Sequence, residues 1–125
     1  MRKLLLLFAF IFSVSQFQAQ IEYSIEEETR SMSEGVENGI IVSMDMTDVK
    51  LAEKLWVSYL KDFGAKPKKV KGTDELLAND ADIPGIGAGN TVDVYAIIDD
   101  GGGEVEVIVW FNLGGAYLDS GLHPS

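Results

Sequence analysis

Two stretches near the C-terminal end alternate apolar and polar residues with a period of two. In residues 92–99, Val92, Val94, Ala96 and Ile98 alternate with Asp93, Tyr95, Ile97 and Asp99. In residues 104–112, Val105, Val107, Val109 and Phe111 alternate with Glu104, Glu106, Ile108, Trp110 and Asn112. A side-chain period of two is that of a strand, and the DDGGG between the stretches suits a turn, so a β-hairpin is expected. A shorter β-branched run, residues 39–46, places Ile40, Val42, Met44 and Met46 on one side and predicts a third strand, with Asn38-Gly39 as the turn before it.

The period changes in residues 47–64. Ala52, Leu55, Trp56, Tyr59, Leu60 and Phe63 fall at helical spacing on one stripe, while Lys50, Glu53, Lys54, Lys61 and Asp62 fall on the other side. Thr47 or Asp48 suits the N-cap and Gly64 the C-terminal stop. Trp56 and Tyr59 on such a stripe read as core rather than as a ligand-stacking pair.

The remaining stretches carry weaker patterns. Residues 21–38 are acidic and only loosely periodic, and read as a frayed helix or an extended lead-in. Residues 66–71, KPKKVK, read as a connector or as an edge strand blunted by lysine and proline; the functional alternative is a cationic site for a carboxylate. Residues 73–79 suit one capped helical turn, and residues 80–90 a loop whose GIGAG needs positive φ angles. That GIGAG matches no phosphate-binding pattern and precedes a strand rather than a helix. The fold expected is α+β: a small, mostly antiparallel sheet of about four strands with one main amphipathic helix on one face.

One pattern does not fit a single helix-covered face. The side of the hairpin opposite the Val92–Phe111 set should be polar, yet it holds Tyr95, Ile97, Ile108 and Trp110, with acidic residues only at its ends. Four large side chains rimmed by charge form the composition of a contact surface, or of a face covered by residues 21–37, by another chain, or by sequence beyond Ser125. These four residues are the interaction face expected from the sequence.

The first residues change the compartment. Arg2 and Lys3 precede nine consecutive apolar residues, 4–12, and a small-residue exit at Ala19. Such a run is too short for a bilayer span of about 20 residues and fits a cleaved export signal, residues 1–19, followed by an acidic lead-in, 20–38, and one domain, 39–125. An extracytoplasmic protein, periplasmic or secreted and without stable membrane insertion once cleaved, is expected. The imperfect cleavage site, with Phe17 where a small residue is preferred, leaves an uncleaved anchor as the alternative.

Without those first residues the chain has eight basic and twenty acidic side chains, net −12. That charge repels phosphate backbones and disfavours nucleic acid; basic proteins, basic peptides and divalent cations are the natural partners. The absence of cysteine excludes disulfides, thiol catalysis and thiolate metal sites.

Candidate chemistry is sparse. Asp74, Glu75, Asp80 and Asp82, or Asp99, Asp100 and Glu104, offer oxygen ligands for calcium, but Pro84 and Thr91 occupy positions where an EF-hand loop needs ligands. The single histidine, His123, has no triad or metal context, and no serine sits in a nucleophile elbow. No catalytic residue and no cofactor is expected. The functional expectation is a non-catalytic interaction domain with a protein partner or a second copy on the apolar face; the alternative is a carboxylate-based calcium or small-ligand binding protein.

Residues 27–33 (ETRSMS with its leading Glu), the helix around Trp56, VDVYA at 92–96 and VWFNLGGAYL at 109–118, behind a leader ending QAQ, resemble exported proteins of the Bacteroidota type. The resemblance implies export and an α+β domain that continues past the HP near residue 124, so that this chain would be a fragment or a shortened member. It implies no activity.

Overall fold

The hairpin expected from residues 92–112 forms the centre of the molecule in the computed structural model, which describes residues 22–45, 48–114 and 116–118. In chain order the elements are β1 (Tyr23–Met32), β2 (Gly35–Met44), α1 (Val49–Lys61), β3 (Lys68–Lys69), β4 (Leu76–Ala81), β5 (Val92–Asp100) and β6 (Val105–Asn112). The strands form one antiparallel sheet in the order β1-β2-β6-β5-β4-β3. The class is therefore α+β as expected, but with six strands rather than about four.

The two additional long strands come from segments without a clear apolar alternation. The segment expected as a frayed helix or an extended lead-in supplies, among the described residues, β1 and the start of β2, which pair from Tyr23↔Met44 to Met32↔Gly35. The turn lies at Ser33 and Glu34, and Asn38-Gly39, the expected turn, is inside β2. Residues 73–79 do not make a helical turn but lead into β4, which pairs with β5 in the register Leu76↔Ala96 and Ala78↔Val94. The lysine-rich stretch supplies the two-residue β3 at the sheet edge.

The helix behaves as its stripe predicts. Asp48 caps it by accepting a hydrogen bond from Leu51 N at 3.0 Å, and Gly64, with φ +78°, follows its end. Ala52, Trp56 and Leu60 are fully buried against one face of the sheet. There they meet Ile40, Val42 and Met44 of β2, Val92, Val94 and Ala96 of β5, and Val105, Val107, Val109 and Phe111 of β6. The 80–90 loop closes the same core with Ile83 and Ile86, and its Gly87 has φ +82° with Asn90 O only 2.5 Å from where a Cβ would stand. Glycine is required there on both counts.

Candidate functional site

The opposite face of the sheet carries Tyr95, Ile97, Ile108 and Trp110, aligned by the pairs Tyr95↔Trp110 and Ile97↔Ile108. Ile41 joins them through its pair with Ile108. They do not form an open surface. Trp110 is 1 % exposed, Ile108 5 % and Tyr95 7 %; only Ile97 stays half-buried.

What covers them is the β1–β2 hairpin. The ladder between β2 and β6 ends at Ile40↔Val109, and from Gly39 to its turn the ribbon is paired only within itself. Gly39 is what allows it to cross the tryptophan: a Cβ there would stand 2.9 Å from Trp110 Nε1. The indole N–H donates to Glu37 O at 3.2 Å, and Met32 packs onto the cluster from the ribbon's end. At the turn, Ser33 N and Oγ donate to the two carboxylate oxygens of Glu75, at 2.7 and 2.6 Å. Glu75 is 3 % exposed, so this pair of charge-assisted bonds also satisfies a buried carboxylate. Behind the ribbon, Asn38 Nδ2 donates to Leu118 O at 3.0 Å, and the Tyr117 ring lies 6.5 Å from that of Tyr95. The extra apolar face is thus largely closed by the chain itself, and its composition is that of a second, smaller core.

The closure is incomplete at Ile97. Between the hairpin end and the end of β5 lies a cleft of about 610 Å³. Ile97, Ile108 and Trp110 line it from the hairpin-covered face, and Arg30 and Ser31 from β1. Thr73, Asp74 and Glu75 form its wall before β4, with Lys69 beside them, while Ile98, Asp99 and Glu53 line the far side. Both cations are already drawn to carboxylates: Arg30 Nε lies 2.9 Å from Glu28 Oε1, and Lys69 Nζ lies 3.9 Å from Asp74 Oδ1. The carboxylates of Glu53, Asp74, Glu75 and Asp99 leave the lining net negative.

The other candidates disperse. Asp80 Oδ1 accepts from Thr91 Oγ1 at 3.3 Å while Asp93 Oδ1 accepts from Asp80 N at 3.0 Å. Asp99 and Asp100 cap backbone N–H groups of the glycine turn, at Asp100 and Gly102. Among the described residues no three carboxylate, histidine or cysteine side chains converge as a metal site. His123 and residues 1–21 lie outside the described residues. No helix among the described residues is long and apolar enough to cross a membrane.

Sequence reasoning missed the cleft because its walls come from β1 and from residues 73–75, neither read as part of a sheet. The legible signal was Ile97 and Ile98, adjacent large residues on opposite sides of one strand. Neither protein-family models, nor curated proteins, nor solved structures match the chain.

Proposed function

We propose that the chain is an exported, non-catalytic binding domain that takes its ligand in the cleft between the β1–β2 hairpin and the end of β5. The observation that carries this reading is the cleft itself: a half-buried apolar floor around Ile97, bounded by charged walls, on a sheet face that the β1–β2 hairpin otherwise largely covers. Because the hairpin already buries Tyr95, Ile108 and Trp110, no second copy is needed to cover them, and the partner belongs at Ile97. Export rests on the basic start and short apolar run of residues 1–19. A fragment panel titrated into the isotope-labelled purified protein, followed by backbone and indole NMR, tests the binding reading. Hits are expected to shift Ile97, Ile98, Ile108 and the Trp110 indole together. A panel that leaves these four unmoved at millimolar concentration rejects the cleft as a binding site.

A further inference from the structure

The cleft draws side chains from both faces of the sheet. Ile97, Ile108 and Trp110 belong to the hairpin-covered face, while Ile98 and Glu53 belong to the helix-covered side. Side chains of opposite faces meet in one cleft where it wraps an open strand edge or a strand end. β5 has such an edge, because β4 begins with Leu76 opposite Ala96 and no β4 residue pairs with β5 from Ile97 to Asp100.

The direction of the backbone groups follows from two bonds. Gly101 N donates to Glu104 O at 2.7 Å, and antiparallel alternation then aims the groups of Asp99, Ile97 and Tyr95 at β6 and those of Ile98 and Ala96 the other way. On the far side Val70 N donates to Glu75 O at 2.9 Å, which turns Leu76 toward Ala96 and gives the same parity. The next outward donor, Asp100 N, is taken by Asp99 Oδ1 at 3.0 Å. Ile98 therefore presents its N–H and C=O to the cleft without a backbone partner among the described residues.

Resting on the cleft as the binding site, we infer that its occupant is an extended peptide segment bearing lysine or arginine, which adds to β5 through the Ile98 N–H and C=O. Alternate side chains of an added strand point to opposite faces. One set packs on Ile97 and Ile108, and the other reaches the Glu53 and Asp74 side, where a cation is favoured. The lining has four carboxylates against two cations that are already engaged, and the chain's net charge of −10 attracts a basic segment from a distance.

An acetylated, amidated heptapeptide of alternating valine and lysine is the probe, titrated into the labelled protein at low salt. Shifts at Ile97, Ile98 and Ile108 are expected, with hydrogen exchange of the Ile98 amide slowed at least fivefold. N-methylation of every second peptide amide should weaken binding tenfold or more in one register and leave it within twofold in the other, and a valine–glutamate twin should not bind. Equal binding of both N-methylated forms with Ile98 exchange unchanged overturns strand addition while leaving the cleft as a site. Fragments that bind the cleft when the valine–lysine peptide does not, at millimolar concentration, overturn it too. Fragments and peptide both failing would remove the binding reading along with the inference.

Discussion

The two faces of the sheet are both apolar, yet they are closed by different means. On one face a helix lays a continuous stripe, Ala52, Trp56 and Leu60, onto small and β-branched strand residues, and the fit is one of shape over a broad area. On the other a two-stranded ribbon covers a few large side chains, Ile41, Tyr95, Ile108 and Trp110. A ribbon has only one side to offer and little of it is apolar, so its position depends on single features: the missing Cβ at Gly39, the Trp110–Glu37 bond and the Ser33–Glu75 clasp. The ribbon's point contacts leave Ile97 half-buried, and the cleft opens at that place.

The largest effects should come from removing the tryptophan of either face. Trp56 and Trp110 are both 1 % exposed, and truncation of either to alanine is expected to cost about 3–5 kcal/mol, a large share of the stability of a small domain. Their consequences should differ in extent. Trp56→Ala should lower hydrogen-exchange protection throughout the sheet, whereas Trp110→Ala should strip it first from the ribbon around residues 33–39 and leave α1 protected. Equal loss everywhere in both variants would mean that the two cores unfold as one unit, and the division drawn between the faces would fail. Had Trp110 been an exposed contact residue, its truncation would barely register in a denaturant titration.

The contrast also explains what was legible in the sequence. α1 and the β5–β6 hairpin announce themselves because each sets its own period: the stripe from Ala52 to Phe63 and the alternations from Val92 and Val105 result from burial against a broad face. β1 has no such signal. Of its ten residues most are exposed and three are consecutive glutamates; it is a strand because β2 pairs with it, not because it buries a side. Asn38-Gly39 carries a strong local turn signal that tertiary structure overrides, since the glycine is needed for the close approach of the Trp110 ring. The four-residue face at Tyr95, Ile97, Ile108 and Trp110 was readable, and so was the option that residues 21–37 cover it. Ser33 and Glu75 were not readable as partners, because 42 positions separate them.

An intermediate effect is expected at the bend itself. Gly39→Ala would place a methyl group 2.9 Å from Trp110 Nε1, against a ring wedged in the second core, so the ribbon must shift outward. Overpacking of this kind costs about 1–3 kcal/mol. Ser33→Ala removes the hydroxyl from the buried Glu75 carboxylate and should cost a similar amount, about 1–3 kcal/mol. Both variants should speed exchange of the Trp110 indole proton while leaving the amides of α1 unchanged. An indole that exchanges at its original rate in Gly39→Ala would show that the ribbon accommodates the methyl without moving, and that the glycine is not what lets it close.

The smallest difference between the faces is electrostatic, and alkaline pH separates it. Burial raises the Tyr59 hydroxyl, on the helix side, to about 12, and burial is its only cause. Tyr117, on the hairpin side, is also raised to about 12, first by burial and then by Tyr95 and the carboxylates of Glu34, Glu37 and Glu75. In both cases the folded state keeps a proton that the unfolded chain, with an ordinary tyrosine value near 10, has already released. These tyrosines therefore leave stability unchanged below pH 10 and lower it as pH rises from there through about 12. Tyr59→Phe and Tyr117→Phe should each flatten that decline; the Tyr117 hydroxyl has no hydrogen-bond partner among the described residues, so its removal should change little at neutral pH. Salt distinguishes them. Raising ionic strength from about 0.05 to about 0.5 M shortens the screening length to a few ångströms and weakens the repulsion of Tyr117 by its carboxylates, but not the burial of Tyr59. The part of the alkaline decline that Tyr117→Phe removes should shrink with salt, while the part that Tyr59→Phe removes should persist. Denaturation midpoints across that pH range at both ionic strengths provide the measurement. Identical salt dependence of the two parts would place the acidic ribbon too far from Tyr117 to influence it, and with it the close covering of the second face.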